Sequence, residues 1–368
     1  MDAYSDISVS LLNVVGGDQN RGNEERSRMS NTRTHRVAVI GGDGIGPEVT
    51  SAAIDVVRAA GVELDTTSFD LGAGRYLRDG FVLNDATLEE LRGFDAILLG
   101  AVGPAIGDNR IPGGVLERGL LLHLRFGLDL FINYRPFRAV PGSIAEGAEF
   151  AIVRENTEGP YVGEGGVLRR GTAYEVATQG SVNTRYGVER CVRYAFERAA
   201  SLAEPRLTLV HKTNVLTFAG DLWSRVVDEV ADEYQTVEVD YHHVDAACIY
   251  LVESPQRYGV IVTDNLFGDI LSDLAGAVTG GIGFAASANL NVARTGASLF
   301  EPVHGAAHDI AGTGRANPIA AVSSAVLMLE HLGEDTAASR VARVVADFDG
   351  DVNVLGTVGV TRLLIERL

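Results

Sequence analysis

RVAVIGGDGIGPEVTSAAIDVVRAAG, residues 36–61, is the stretch that decides the architecture. Its apolar start reads as a strand, a glycine-rich turn follows, and Pro47 opens a helix that continues to about residue 60. The turn invites the dinucleotide fingerprint G-x-G-x-x-G. Gly42, Gly44 and Gly46 nevertheless alternate with single residues, and proline stands at 47 where that fingerprint needs glycine. Taken alone, the loop is equally a tight strand-to-helix turn. Moving outward, DAILLGAVG (95–103), RLTLVHK (206–212), VEVDYHHVD (237–245) and YGVIVTD (258–264) read as short strands, separated by helical stretches such as GDLWSRVVDEVADEY (220–234). This alternation predicts an α/β architecture with at least partly parallel sheets. Residues 131–180 differ, with FINYRPFRAV, AEFAIVRENT and AYEVATQGSV reading as strands and little helix between them. They suit a sheet extension or an arm reaching a second subunit. GGIGFAASANLN and SLFEPVHG are again short strands, NPIAAVSSAVLMLEHLG is a helix, and another begins near residue 334.

A chain of 368 residues exceeds what one core usually serves, so two domains are expected. An apolar fraction of 46% with 10 prolines indicates a folded protein, and 43 glycines indicate many tight turns and close approaches. The net charge of −18 argues against nucleic acid or an anionic membrane as partner, but not against an anionic small substrate met by local arginines. Cys191 and Cys248 provide neither a disulfide framework nor a cysteine zinc cluster, and read as core thiols in a reducing compartment. No apolar run approaches the roughly 18 residues of a spanning helix. Residues 1–35 begin acidic rather than basic and become polar and Gly/Asn/Arg/Ser-rich, which predicts a mobile tail on a cytoplasmic protein.

Three constellations carry chemistry. IVTDNLFGDILSDLAG, residues 261–276, places Asp269 and Asp273 on one face of a helix expected to begin near Gly268. Acids near a helix start favour the dipole, which accounts for Asp269 better than Asp273. Two like charges at this spacing repel mildly, and a hard divalent cation would turn that cost into affinity, given a third carboxylate and a chelating substrate. Arg125, Arg135 and Arg154 each adjoin an apolar run. Singly, each reads as the partner of a structural acid; together, in so acidic a chain, they suit a pocket for planar carboxylates. Lys212 and Asn214 follow a strand directly, where open α/β sheets collect ligands. A lysine acts as a base where burial and nearby cations favour its neutral form. Tyr161 reads alone as an ordinary surface tyrosine, and His211, His242 and His243 show no zinc-like spacing.

In this order along the chain, GDGIGPEV, LERGLLLHLR, REN/TEG, HKTNVL, TDNLFGDILSD and FEPVHGAAHDIAG…ANP closely resemble the β-decarboxylating dehydrogenases that act on isocitrate, isopropylmalate and related diacids. The resemblance runs from about residue 36 to the end and is strongest to the isopropylmalate-oxidising branch. It implies the two-domain fold of that family rather than a standard Rossmann fold, with a β arm for dimerisation. Residues 36–130 with 280–368 would form the cofactor side, and 131–279 the substrate, metal and dimerisation side. It implies Arg125, Arg135 and Arg154 on the substrate carboxylates, Lys212 and Tyr161 as the catalytic pair, and Asn214 beside substrate and nicotinamide. Asp245, Asp269 and Asp273 would hold Mg²⁺ or Mn²⁺, with Asp245 and Lys212 crossing from the partner of a homodimer. Asp245 thereby also adjoins substrate. Glu117, Leu121, Leu122 and Val215 match the region meeting the C3 substituent and nicotinamide. Glu301, His304, Gly305, Asp309, Ile310 and Asn317 match the adenosine side.

On that resemblance the cofactor is NAD, because the Asp309 carboxylate suits a ribose diol and repels a 2′-phosphate. The implied reaction is oxidative decarboxylation of 3-isopropylmalate to 4-methyl-2-oxopentanoate, in leucine biosynthesis. Leu121 and Leu122 form an aliphatic wall against which an extra carboxylate would cost several kcal/mol to desolvate. The alternative is the same chemistry on another 3-substituted malate or related diacid. Tyr134, Gly127 and His308 depart from the family pattern, where leucine, glutamate and proline are usual.

Overall fold

The computed structural model describes residues 33–368, so the tail expected over 1–35 lies outside the described residues except at its end. The strands are β1 (His35–Gly42), β2 (Leu64–Ser68), β3 (Ala96–Ala101), β4 (Ile132–Arg138), β5 (Glu149–Glu155), β6 (Gly165–Leu168), β7 (Val176–Gln179), β8 (Arg206–His211), β9 (Glu238–His243), β10 (Val260–Thr263), β11 (Ala286–Leu290) and β12 (Ser298–Pro302). Ten of them form one sheet in the order β2-β1-β3-β12-β11-β4-β5-β10-β8-β9. The outer strand pairs are parallel, and the central run β12-β11-β4-β5 is antiparallel. Strands from residues 35–101 and 286–302 fill one half of this order, and strands from 132–263 fill the other.

The helices that bear on the site are α1 (Gly46–Ala59), α2 (Ala73–Asp79), α3 (Asp85–Arg92), α4 (Leu122–Gly127), α5 (Arg185–Ala200), α6 (Thr217–Ala231), α7 (Val244–Glu253), α8 (Asn265–Thr279) and α9 (Ile319–Leu332). Side-chain alternation along the strands sorts the core into faces. Val37, Val39, Leu98, Phe300, Ala288, Tyr134, Val153 and Val262 point to one face, joined into a continuous core with residues of α1, α5, α6 and α9. The opposite face divides. Ala38, Ile40, Ile97 and Leu99 pack with residues of α3 and α4, while Phe137, Ile152, Val210 and Ile261 pack with residues of α7 and α8. Between these two clusters the same strands present Asn133, Arg135, Arg154, Ser287, Asn289 and Glu301, all but Glu301 fully buried. Polar side chains occupy the place where a third apolar cluster would otherwise continue, and that gap is where the site lies.

The glycine loop after β1 docks closely on its surroundings. Gly44 has φ +57, and a Cβ there would stand 1.8 Å from the Ala306 carbonyl oxygen; the Ile45 amide donates to that same oxygen at 2.8 Å. Asp43 anchors the loop, its buried carboxylate accepting from the amides of Ala73 (2.7 Å), Gly74 (2.9 Å) and Gly103 (3.0 Å). Asp43→Ala leaves three amides short of an anionic acceptor, and should lower unfolding stability by about 3 kcal/mol, measured by denaturant melts.

Helix α8 starts at Asn265, three residues before the position expected from the sequence. Asp264 caps it, accepting from the Phe267 amide at 2.8 Å, so Gly268 is interior and serves packing rather than initiation. β6 and β7 pair only with each other, and every residue in both is exposed. An isolated two-stranded hairpin is at best marginally stable.

Candidate active site

Arg154 is the centre of the site. It sits on β5 opposite Asn133 of β4, 1% exposed, and runs beneath the first turns of α8. Gly268 allows this, because a Cβ there would lie 2.5 Å from Arg154 Cγ. The guanidinium donates to Asn265 Oδ1 through Nε (2.9 Å) and Nη2 (2.7 Å), and through Nη1 to Asp269. Arg135, two residues beyond Asn133 on the same face of β4, donates to Ser272 Oγ at 2.6 Å and stands 3.6 Å from Asp273. Its buried Nε has no partner. Arg125 reaches in from α4 and meets Glu301 Oε1 at 3.5 Å, beyond good hydrogen-bond range. Tyr161, on a 3₁₀ turn over Pro160–Val162, donates to Asp269 Oδ2 at 2.8 Å, with the Arg154 guanidinium 5.2 Å from its ring centre.

The electrostatics match this crowding. Burial and the charge of Arg154 push Arg135 down to about 10. Burial likewise lowers Arg125, Glu301 opposing and Arg154 adding to it. Burial alone would raise Asp269, yet Arg154, Tyr161 and the other arginines more than offset it and hold it below the ordinary carboxylate range. Burial raises Tyr161, with Asp269 adding to the shift, so the phenol keeps its proton at neutral pH. Asp273, though largely exposed, is raised by partial desolvation on its inner side, with Arg135 opposing and the neighbouring Asp269 adding to the shift. The result is a cluster of three guanidiniums with donors still available, suited to an anion of more than one carboxylate.

A second group stands apart. Lys212, just past β8, pairs with Asp245 Oδ1 at 2.5 Å, and Asp245 lies in the first turn of α7. Asn214 and Val215 beside it are exposed, with Val215 at 65%. No hydrogen bond or ion pair among the described residues joins this group to Tyr161 and the arginines. Nor does any group of three metal-ligating side chains assemble among the described residues: Asp269 and Asp273 share α8, and Asp245 is elsewhere. Asp269 and Asp273 offer hard oxygen donors one helical turn apart, which fits part of the shell of a divalent cation. His211, next to Lys212, is buried against Trp223 and Phe267, and burial lowers it to about 4, which makes it a neutral core residue.

The loop after β12 carries the residues expected at the nucleotide. His304 donates through Nδ1 to the Gly305 carbonyl at 3.0 Å; burial lowers its pKa, leaving a buried Nε2 lone pair without a donor. That orphaned acceptor fits a polar ligand. Gly305 and Asp309 are exposed, Ile310 packs against the core, and Asn317 accepts from the Ile319 amide at 3.1 Å. Glu301 lies on β12, where it faces Arg125 and Asn289. Glu117 is exposed at the start of a π-helical turn over Glu117–Leu121, which leaves Leu121 and Leu122 half-buried.

Each departure noted in the sequence has a local partner. Gly127 leaves room for Leu88, whose Cδ2 would lie 2.4 Å from a Cβ at 127. Tyr134 points to the face opposite Arg135 and accepts from Arg198 Nη2 at 3.0 Å. His308 Nε2 donates to the Gly103 carbonyl at 2.8 Å, tying the loop after β12 to the end of β3.

Sequence reading missed Asn265, Ser272 and Asn289. Asn289 donates to Glu301 at 2.8 Å and accepts from Asn156 (2.9 Å) and Asn133 (3.1 Å), so it fixes the carboxylate that faces Arg125. The signal was present in ASANLN, an alternating strand with polar rather than apolar residues on its second face. Asn289→Leu takes one of two acceptors from each of the Asn133 and Asn156 amides, which keep Ser287 Oγ and the Leu130 carbonyl, and frees Glu301. Because Glu301 faces Arg125 and is also expected at the nucleotide, the substitution should raise KM for the diacid about tenfold or more and raise KM for the nucleotide as well, as steady-state kinetics with each substrate varied would read.

The family profile described as Isocitrate/isopropylmalate dehydrogenase matches residues 36–348. The chain belongs to the isocitrate/isopropylmalate dehydrogenase family. Among family members it is 56% identical over 323 residues to a 3-isopropylmalate dehydrogenase of Clavibacter sepedonicus, covering 86% of this chain and 91% of that one. It is 58% identical over 316 residues to one of Corynebacterium jeikeium, covering 84% and 92%. Of solved structures, an isocitrate dehydrogenase from Methylococcus capsulatus superposes with TM-score 0.81 at 37% identity, over 90% of this chain and 99% of that one. A β-decarboxylating dehydrogenase from Thermococcus kodakarensis gives 0.74 at 39%, over 90% and 96%. Membership in this dehydrogenase family implies a nucleotide and a divalent metal as cofactors.

Proposed function

We propose that the protein catalyses the NAD-dependent oxidative decarboxylation of 3-isopropylmalate to 4-methyl-2-oxopentanoate, the leucine precursor, in the cytoplasm. The observation that carries this reading is the cluster of Arg125, Arg135 and Arg154 beside the protonated Tyr161 and the acids of α8. The high identity to 3-isopropylmalate dehydrogenases points the same way.

In this reading the arginines hold the two malate carboxylates, and Leu121 and Leu122 take the isopropyl group, where a third carboxylate would be desolvated without a partner. Asp269 and Asp273 with Asp245 of the partner subunit would hold Mg²⁺ or Mn²⁺. When bound, NAD would supply the hydride acceptor, and the cation would supply Lewis-acid stabilisation of negative charge on the 2-oxygen. Lys212, directly or through water, accepts the hydroxyl proton, and Asn214 orients the reacting end. Tyr161 delivers a proton to C3 after decarboxylation; its hydroxyl donates to Asp269 Oδ2 in the free protein and would turn from that carboxylate to the substrate. His304, Gly305, Asp309, Ile310 and Asn317 receive the adenosine, with Asp309 favouring a free ribose diol over a 2′-phosphate. Glu117 and Val215 border the nicotinamide.

The separation of Lys212 and Asp245 from Tyr161 supports a homodimer in which each site is completed by the other chain. The exposed β6–β7 hairpin supports an arm that finds its remaining strands on that partner. The seam between β11 and β4 would then divide a cofactor side (36–130 and 280–368) from a substrate side (131–279). Among the described residues, no helix is long and apolar enough to cross a membrane.

A panel of 3-substituted malates, read by NADH formation with Mg²⁺ or Mn²⁺, tests the assignment. Isopropylmalate should give the highest kcat/KM. Equal or greater efficiency on an aryl-substituted malate, or on isocitrate, would overturn it.

A further inference from the structure

The face of the sheet opposite the arginine cluster carries a cavity of about 200 Å³. It is walled by β4 and α5 on one side (Tyr134, Tyr194, Arg198) and by β11, the following loop and α9 on the other. Nothing in the proposed reaction uses these residues. Ala288, Leu290, Val292 and Leu327 make one wall apolar. Arg198 donates to the Tyr134 hydroxyl and Arg294 to the His331 carbonyl (2.9 Å), but among the described residues neither guanidinium has a carboxylate within ion-pair distance. Glu330 opens on the same space and likewise forms no ion pair among the described residues. His331 adds no charge at neutral pH, since burial and Arg294 lower it to about 4.

A cavity with two cations, one anion and an aliphatic wall is complementary to a small molecule bearing all three features. A simple carboxylate would satisfy the arginines and meet Glu330 as a repelling neighbour. A simple amine would do the reverse. We infer that this back-face cavity binds an aliphatic α-amino acid as its zwitterion, with the carboxylate toward Arg198 and Arg294, the ammonium toward Glu330, and the side chain against Leu290, Val292 and Leu327. The occupant would touch both halves of the sheet across the β11–β4 seam. Tyr134, in its wall, is the chain neighbour of Arg135, so a ligand here sits one residue from the diacid site.

Calorimetric titration of the full-length protein with L-leucine, 4-methylpentanoate and 3-methylbutylamine tests this without relying on turnover. Leucine should bind saturably, with each analogue weaker by about tenfold or more for the loss of one charged contact. Glu330→Gln and Arg294→Gln, both at exposed positions, should each weaken leucine binding by a similar factor with melting temperature unchanged. Arg135→Gln, which disables the diacid site, should leave leucine binding intact. Absence of saturable binding up to about 10 mM, an analogue that matches leucine, indifference to both cavity variants, or loss in Arg135→Gln would each overturn the inference. A failed malate panel would leave it standing.

Discussion

Lys212→Ala is expected to lower kcat by about 10²–10⁴-fold, the range for removal of a positioned general base, while the protein stays folded and binds NAD. Among the described residues the side chain's one polar contact is the ion pair with Asp245, whose carboxylate is 68% exposed. Its removal therefore leaves no buried charge behind, and thermal melts should shift little. Lys212 shares no hydrogen bond with His304 or Asn317, and its proposed place is at the reacting end of the substrate and not at the adenosine, so NAD titration should be close to wild type. Lys212→Arg is the informative companion: it keeps the charge, but a guanidinium does not deprotonate, so it should not restore turnover. A Lys212→Ala enzyme retaining more than about a tenth of wild-type kcat would remove lysine from the proton-transfer role.

Exhaustive chelation should take turnover to background, with activity returning on addition of Mg²⁺ or Mn²⁺. The two acids of α8 respond differently to substitution because their surroundings differ. Asp273 is 68% exposed and stands 3.6 Å from Arg135, so Asp273→Asn should raise the Mg²⁺ concentration needed for half-maximal activity about tenfold or more without changing stability. Asp269 is the carboxylate hydrogen-bonded to buried Arg154 but is itself 43% exposed, so Asp269→Asn weakens the neutralisation of that cation and should also cost about 1.5–3 kcal/mol of unfolding stability. Metal titration and denaturant melts on the same two variants separate the roles. Turnover undiminished after chelation would end the metal assignment.

Much of this was legible along the chain. The strand, glycine turn and helix of 36–61 appear as β1, the docked loop and α1, and the broken fingerprint is explained by a loop fastened to Ala306 and anchored through Asp43. Arg135 and Arg154 announced themselves as charges in apolar strands, because a buried guanidinium needs a reason to be there. Their partners were harder to see. Asn265 sits among aspartates that draw the eye first, and Ser272 and Asn289 are residue types that occur anywhere. Only the register of β4 against β5, and of β11 against β12, shows that these side chains share the polar gap. The start of α8 was misplaced because Gly268 looks like a boundary, whereas its small size is spent on the passage of Arg154. Strand alternation along β4 already turns Tyr134 away from its neighbour Arg135 and into packing, and it lies on the face with Tyr194 and Arg198.

The strand order has a consequence for how this protein comes off the ribosome. β3 (Ala96–Ala101) lies beside β12 (Ser298–Pro302), and β4 (Ile132–Arg138) beside β11 (Ala286–Leu290), so each of these two strands waits for a neighbour made far later in synthesis. During that interval β1–β3 end in a bare edge with unpaired backbone groups and the apolar flanks of AILLGA uncovered. β4, β5, β8, β9 and β10 come from one uninterrupted span and can assemble in the meantime. The first-made segment is thus the last to be closed, which makes the nascent chain short of residue 302 the form most prone to aggregate and most dependent on chaperones.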